Sequence, residues 1–232
     1  MDPSTYGERI ADVYDEWYGT DGDIEGTVAT VARCGSSVLE LGIGTGRLAI
    51  PMVDAGLAVT GIDASPAMVG RLRAKDGDRI PVIVADYAGV PVDGHFDVAL
   101  LAYNALLVIT DEAERARCVR RCAEVADRVI VETFVPADDA PPQGVDVRHV
   151  DADEVRLSAF RIDDGIVHGS IVSITESGIR LRPWRLRPAT PAELDRVAAA
   201  AGLEVEHRWS GWRQEPFEDG ASDRCVTVYR RR

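Results

Sequence analysis

Short apolar segments rich in β-branched residues recur along the first 134 positions, and helical patterns separate them. The apolar segments are "SVLELG", "LAVTGID", "IPVIVAD", "FDVALLA" and "RVIVETF". Strands that alternate with helices are typical of parallel β-α-β units. The pattern therefore predicts an α/β fold with a mostly parallel sheet flanked by helices.

The pattern changes in the last third of the chain. From about Val145 to Arg187 there is no helical period, and alternating segments are separated by the turn clusters "DDG" and "ESG". This predicts an antiparallel β-meander of three or four strands inserted into the α/β chain. The segments "LEVEHRW" and "RCVTVYR" then predict an antiparallel hairpin that completes the main sheet.

Capping residues predict where several helices begin. Ser65 precedes a proline and is expected to cap one helix, while Thr190 and Glu193 form the pattern of a capping box. Thr110 is expected to begin the helix "TDEAERARCVRRCAEV". Pro51 predicts a kink after the first turn of the helix in "RLAIPMVDAG".

Composition and charge limit the classes of partner. The 232 residues are 46% hydrophobic and carry a formal net charge of −13, which predicts a globular protein that phosphate backbones and anionic lipids repel. No apolar run approaches the roughly 20 residues that a spanning helix needs. We expect no nucleic acid and no membrane as partner, and a cytoplasmic location. The four cysteines form no CxxC pair, so we expect reduced thiols and no metal site.

The stretch "VLELGIGTGRLAI" places Gly42, Gly44 and Gly46 directly after the first predicted strand. Glycines at such a bend allow a sharp turn and let a ligand contact the peptide groups. Dinucleotide-binding loops have the spacing G-x-G-x-x-G, and here Arg47 stands where the third glycine would fall. Glu40, at the strand end, would repel a pyrophosphate and attract an ammonium or sulfonium.

Two further carboxylates follow the next predicted strands. Asp63 is the expected acceptor for two ribose hydroxyls, although both ligand classes place an acid there. Asp86 follows the third strand, where it can accept a hydrogen bond from an adenine amino group. Either aspartate alone could instead be a helix cap.

The motifs "VLELGIGTGR", "GIDASPAM", "VIVADY" and "FDVALLAYNAL" resemble, in this order, those of class I S-adenosylmethionine-dependent methyltransferases. The resemblance covers roughly residues 6 to 134 and implies a Rossmann-like fold and S-adenosylmethionine as cofactor. It implies that Gly42 and Gly44 abut the methionine part and that Asp63 holds the ribose. The other implied cofactor contacts are Ala64 and Met68 beside adenine, Asp86 and Tyr87 at its edge, and Ala102 and Tyr103 on the methionine side. Arg47 either pairs with the cofactor carboxylate or is a solvated helix residue.

The N-terminal segment "STYGERIADVYDEWYG" resembles the lid helix of small-molecule methyltransferases, especially those that act on amino-sugars in antibiotic pathways. Tyr14 and Tyr18 fall in its "YDxxY"-like element, which implies that they cover the cofactor. At helical spacing they could equally form a core stripe. Tyr14 is also the candidate catalytic residue, as a hydrogen-bond partner of cofactor and acceptor.

Candidate acceptor contacts lie after the fourth and fifth strands and in the meander: Asn104, Glu132, Phe134 and Trp184. Each of Glu132, Phe134 and Trp184 could either line the acceptor pocket or have a purely structural role. Arg182, Arg185 and Arg187 flank the tryptophan, and we expect them to share one face, which indicates an anionic acceptor or a subunit contact. The meander also resembles the part of such enzymes that roofs the acceptor pocket and can join two subunits into a homodimer.

These observations predict a methyltransferase that moves a methyl group from S-adenosylmethionine to N or O of a small-molecule acceptor, in secondary-metabolite biosynthesis. The alternatives are a non-catalytic protein that binds the same cofactor and, less favoured, an NAD-dependent oxidoreductase. We expect N-terminal lid helices at 1–30 and a cofactor-binding core at 31–140. A β insertion at 141–188 and a C-terminal helix with a strand hairpin at 189–232 would follow.

Overall fold

The computed structural model describes residues 2–19, 22–76, 78–137 and 140–232. The strands, in chain order, are β1 Ser37–Leu41, β2 Ala58–Asp63, β3 Val82–Val84, β4 Phe96–Leu101, β5 Ala126–Phe134, β6 Gln143–Val150, β7 Glu154–Asp163, β8 Ile166–Thr175, β9 Gly178–Leu186, β10 Leu203–Trp209 and β11 Arg224–Arg231. The helices are α1 Thr5–Ile10, α2 Tyr14–Tyr18, α3 Ile24–Cys34, α4 Ala49–Asp54, α5 Pro66–Asp76, α6 Ala105–Val108, α7 Glu112–Val125 and α8 Pro191–Ala200.

Seven strands form the main sheet in the order β10-β11-β5-β4-β1-β2-β3. The strands from β5 to β3 run parallel, whereas β11 pairs antiparallel with both β5 and β10. The Rossmann-like α/β fold expected from the sequence is confirmed. Because the strands are parallel, the carboxyl ends of β1, β2, β4 and β5 meet at one edge of the sheet.

Both faces of the main sheet are covered by helices, which explains the continuous apolar runs of its strands. On one face Leu39 and Leu101 pack with residues of α7 and α8. On the other face Val38 and Leu100 pack with residues of α3, α4 and α5. Helix α3 runs across the boundary expected at residue 30 and contributes Val31 to this core.

The meander is a separate four-stranded antiparallel sheet in the order β6-β7-β8-β9, as the sequence predicts. Its register aligns Ser158 with Ile171 and Ile171 with Arg182. We call the face that carries these residues the inner face, because Ile171 and Trp184 on it pack against α1 and α2. The opposite, outer face carries Leu157, Val172 and Leu181, among others.

The caps show where the sequence interpretation holds and where it fails. Ser65 Oγ accepts from the Met68 amide at 3.2 Å, and Thr190 forms the complete capping box. The start expected at Thr110 is wrong: Asp111 is the N-cap of α7, since its carboxylate accepts from the amide three residues on. Pro51 lies in the first turn of α4, where a missing N–H breaks no helical bond, so no kink is required.

In the described ranges, none of the helices combines the length and the apolar character that crossing a membrane requires.

Candidate active site

The three loop glycines all have left-handed backbone, with φ of +78° at Gly42, +56° at Gly44 and +80° at Gly46. Their surroundings differ. A Cβ on Gly46 would lie 3.0 Å from Leu72, so this glycine is needed for packing against α5. A Cβ on Gly44 would meet only the Gly42 carbonyl oxygen, at 3.9 Å. The turn at Gly44 therefore faces open space at the carboxyl edge of the sheet.

Glu40 is the second-last residue of β1, beside this loop, and is 4% exposed. Its Oε2 is buried and has no hydrogen-bond partner in the part of the chain that the structure describes. Burial raises the pKa of Glu40 from 4.5 to about 8, Arg47 opposes this rise, and repulsion from Asp63 adds to it. An unpaired carboxyl in a dry site is strongly stabilised by a cation placed against it.

Asp63 ends β2 and ties this strand to the glycine loop. One carboxylate oxygen accepts from the Gly44 amide and the other from the Ser65 amide, each at 2.8 Å. Burial raises the pKa of Asp63, and these two hydrogen bonds oppose the rise. Each oxygen keeps acceptor capacity for a further donor, as binding of two ribose hydroxyls requires. Of the expected adenine contacts nearby, Met68 is buried and Ala64 is half-buried.

The aromatic residues of α2 meet the end of β4. The rings of Tyr14 and Tyr18 are 5.1 Å apart, and those of Tyr18 and Tyr103 are 6.1 Å apart. The Arg47 guanidinium lies 4.5 Å from the centre of the Tyr103 ring. Burial raises the pKa of Tyr14 to about 12, against the effect of Arg47 beside it. The structure thus brings together four of the residues expected to contact the cofactor.

Three polar contacts that the sequence interpretation missed hold α1 and α2, here called the lid segment, against the glycine loop and α5. Asp15 accepts from Thr45 Oγ1 at 2.5 Å and from Lys75 Nζ at 2.9 Å. Glu8 accepts from Ser65 Oγ at 2.7 Å. These partners lie at least 30 residues apart in sequence, and no local pattern connects them.

Glu132 and Asn104 brace the backbone between β4 and β5. Glu132 Oε2 accepts from the Tyr103 amide at 2.7 Å, and Asn104 Oδ1 accepts from the Phe134 amide at 2.7 Å. Glu132 also pairs with Arg224, at 3.4 Å. Tyr103 and Asn104 both have left-handed backbone, with φ of +52° and +66°. The structural role weighed for Glu132 therefore has direct support.

The candidate adenine contacts after β3 are arranged differently from one another. Asp86 is exposed, and its carboxylate accepts from the Ala88 amide at 2.9 Å. Tyr87 donates its hydroxyl to the Ala105 carbonyl at 3.1 Å, and its ring lies 3.5 Å from where a Cβ on Gly42 would stand. Tyr87 thus packs behind the glycine loop. Ala102, expected on the methionine side of the cofactor, directly follows β4 and is 8% exposed.

Trp184 lies on the inner face of the meander, where its ring covers Gly169 and joins an apolar cluster with the lid segment. The expectation that the neighbouring arginines share one face is wrong. Arg182 lies on the inner face with Trp184. Arg185 lies on the outer face, opposite His168 in the register of β8 and β9. Arg187 lies beyond the strand end, where its Nε donates to the Thr110 carbonyl at 2.8 Å.

A cavity of about 430 Å³, which the sequence did not indicate, opens near the start of β11. It is lined by eight residues: Asp23, Ser210, Gly211, Trp212, Arg213, Glu215, Asp223 and Arg224. Since Arg224 pairs with Glu132, this cavity adjoins the brace between β4 and β5.

The donor set fits S-adenosylmethionine. The buried Glu40, whose Oε2 has no hydrogen-bond partner among the described residues, suits a cationic ligand. Gly44 leaves room for such a ligand, and Asp63 retains acceptor capacity for hydroxyls. Over the described residues, the side chains form no group of His, Cys, Asp and Glu that could hold a metal ion.

Comparisons with known proteins give the same result. Residues 38–128 match the profile of a family described as "Methyltransferase domain". The chain is 30% identical to the cypemycin N-terminal methyltransferase of Streptomyces sp, over 99% of both chains. It is 32% identical to the CcbJ methyltransferase of Streptomyces caelestis, with a TM-score of 0.92 over 100% of this chain and 99% of that one. The sugar N-methyltransferase KedS8 of Streptoalloteichus sp ATCC 53650 shares the fold, at 22% identity and a TM-score of 0.73 over 95% and 92%.

A buried carboxyl group beside an open glycine turn at the carboxyl edge of the sheet and a relative at 30% identity over nearly the whole chain lead to one conclusion. The chain belongs to the family of S-adenosylmethionine-dependent methyltransferases.

Proposed function

We propose that the protein methylates an amine nitrogen of a small-molecule acceptor in secondary-metabolite biosynthesis. The observation that carries the donor half of this proposal is the unpaired Oε2 of buried Glu40 beside the open turn at Gly44. The acceptor half draws support from relatives named as N-terminal and sugar N-methyltransferases.

The proposed donor contacts are the residues expected from the sequence. They are Tyr14, Tyr18, Glu40, Gly42, Gly44, Arg47, Asp63, Ala64, Met68, Asp86, Tyr87, Ala102 and Tyr103. When bound, S-adenosylmethionine supplies an electrophilic methyl carbon. Glu40 would neutralise positive charge of the donor, Asp63 would hold the ribose, and Arg47 would pair with the donor carboxylate.

The proton chemistry of the site favours an amine acceptor. Tyr14, the proposed catalytic residue, keeps its proton at neutral pH because burial raises its pKa to about 12. It can orient donor and acceptor by hydrogen bonds but cannot remove a proton from an alcohol. A neutral amine needs no base before attack, so alignment of its lone pair with the methyl carbon is the main requirement.

We further propose that Asn104, Glu132, Phe134 and Trp184 border the acceptor. Glu132 would act by holding the Tyr103 backbone, and Asn104 by holding the Phe134 backbone, since each accepts from that main-chain amide. Phe134, on β5, and Trp184, on the inner face of the meander, would supply apolar surface.

We also propose a homodimer formed through the outer face of the meander. This face presents strongly exposed apolar side chains on β6 and β9: Val145 64%, Val147 66%, Val150 63%, Ile179 67% and Leu181 60%. An antiparallel sheet normally places polar residues on a solvated face. An apolar face of this extent is typical of a subunit contact, and a second copy offers a matching surface.

For the location we propose the cytoplasm, which is supported by four cysteines that are all free thiols. Reduced thiols are the usual state of cysteine in that compartment.

The proposal is tested in two stages. Calorimetry first measures binding of S-adenosylhomocysteine, and S-adenosylmethionine with a labelled methyl group is then offered with matched amines and alcohols. We expect label in amino-sugars or peptide N-termini and none in the alcohol analogues. Label in the alcohols alone would overturn the choice of nitrogen. Donor binding without transfer to any acceptor would favour the non-catalytic alternative.

A further inference from the structure

Two largely buried arginines on the inner face of the meander contact one tryptophan of the lid segment. The Arg156 guanidinium, on β7, lies 3.9 Å from the centre of the Trp17 ring, and that of Arg182, on β9, lies 4.6 Å from it. The arginine side chains are only 14% and 4% exposed. We call Arg156, Arg182 and Trp17 the guanidinium cluster.

Several N–H groups of this cluster lack an acceptor. Arg156 Nη2 donates to Glu154 at 2.8 Å, and Arg182 Nη2 to Asp12 at 3.4 Å. Arg156 Nε, Arg182 Nε and Arg182 Nη1 are buried without a hydrogen-bond partner among the residues that the structure covers. Buried arginine donors are normally satisfied, because an unmade hydrogen bond to a charged group is strongly destabilising.

The carboxylates near this cluster are already engaged. Arg180 also reaches Asp12, at 3.2 Å, and Ser173 Oγ donates to Glu154 at 2.6 Å. The charges of Arg156 and Arg182 are matched by Glu154 and Asp12, so the cluster lacks hydrogen-bond acceptors although its charge is balanced. An anion held there would supply the missing acceptors.

The position of Trp17 connects this cluster to the proposed active site. Trp17 is three residues after Tyr14 and one before Tyr18, so a single helical turn separates the cluster from the tyrosines near Arg47. Helix α2 has five residues and none of them is fully buried. A shift of α2 would break the Asp15 contacts with Thr45 and Lys75, so new hydrogen bonds to a bound anion would have to offset that loss.

We propose that the guanidinium cluster binds a carboxylate of the acceptor, which replaces the Trp17 ring against Arg156 and Arg182 as α2 shifts. This inference rests on the proposed function. It narrows the acceptor class to amines that also carry a carboxylate, such as amino-acid or peptide derivatives. The Arg182 N–H groups would recognise the carboxylate oxygens by charge-assisted hydrogen bonds.

The test uses the full-length protein saturated with S-adenosylhomocysteine and titrated with acetate at constant ionic strength, with chloride as the reference. Tryptophan fluorescence and the unfolding temperature are followed, and a Trp17→Phe variant assigns the fluorescence change. We expect acetate to alter the fluorescence and raise the unfolding temperature, and Arg182→Gln to weaken acetate binding about tenfold or more. Arg182→Lys, which keeps the charge, should be intermediate.

Arg161→Gln is the matched control, because Arg161 lies on β7, on the outer face, and its side chain is 63% exposed. Equal acetate responses of the two glutamine variants, or a wild-type protein that does not distinguish acetate from chloride, would overturn the proposal. Should Arg182→Gln fail to fold, Arg156→Gln takes its place. A stronger response to sulfate or phosphate than to acetate would contradict a carboxylate site. If the wild-type protein does not bind S-adenosylhomocysteine at all, that result would count against the proposed function rather than against the carboxylate site.

Discussion

Replacing Glu40 by glutamine tests most directly whether this carboxylate neutralises the positive charge of the donor in the proposed site. Burial, with repulsion from Asp63, raises the Glu40 pKa from 4.5 to about 8 although Arg47 opposes the change. One pKa unit corresponds to about 1.4 kcal/mol, so keeping this group ionised in the ligand-free protein costs up to about 5 kcal/mol. Because the folded-state pKa is the higher one, this cost is absent below about pH 4.5 and complete above about pH 8.

Two consequences are measurable. The stability advantage of Glu40→Gln over wild type should grow between pH 4.5 and 8 in ligand-free protein, as followed by chemical denaturation. With a pKa of about 8, roughly nine-tenths of Glu40 is protonated at pH 7, and a bound cation should ionise it. Binding of S-adenosylmethionine should therefore release about 0.9 proton at pH 7 and about 0.1 at pH 9.

The assay is titration calorimetry in buffers of different ionisation enthalpy, since the slope against that enthalpy counts protons. Glu40→Gln should bind the donor more weakly, and its donor binding should release no proton from residue 40. An equal proton count for wild type and variant at pH 7 would refute the assignment of Glu40 as the partner of the donor cation.

Four further predictions follow from named contacts. Asp63→Ala should weaken donor binding by roughly 1–3 kcal/mol through lost charged hydrogen bonds, and unchanged calorimetry would exclude that role. Gly44→Ala should fold, with a free energy of unfolding lowered by about 1 kcal/mol because of its left-handed backbone. It should bind the donor poorly because the added methyl enters the open turn, and wild-type affinity would mean that the donor lies elsewhere. Tyr14→Phe should lower kcat about 10- to 100-fold with little change in donor Kd, and its pH profile between 6 and 10 should keep the wild-type shape, since the Tyr14 pKa is about 12. Leu181→Lys should halve the mass measured by light scattering, whereas an unchanged dimer would place the interface on another surface.

The elements that carry the proposed donor site were predictable because their signals are local. Apolar runs mark the strands, and the residue after each run falls at the carboxyl edge of a parallel sheet. The sequence therefore predicts Glu40 and Asp63 near the same edge of the sheet, and they lie on the neighbouring parallel strands β1 and β2. The capping box at Thr190 is equally local, since both of its partners lie within four residues.

The remaining features depend on how distant segments meet. Asp15 and Thr45 are 30 residues apart, and their hydrogen bond exists only because the lid segment folds back over the glycine loop. The wrong expectation for the meander arginines, by contrast, has a local cause, because strand parity alone sets the face of each one. Arg182 and Arg185 are separated by three positions, an odd number, so a regular strand places them on opposite faces.

The consecutive left-handed residues Tyr103 and Asn104 have a consequence for attempts to engineer this enzyme. Glycine adopts this backbone without steric conflict, so relief of strain alone would favour glycine at either position. The same change removes the ring that faces Arg47 or the amide that binds the Phe134 main chain. Stability and the proposed site therefore make opposite demands on these two positions, and directed evolution of this scaffold needs a turnover assay in every round.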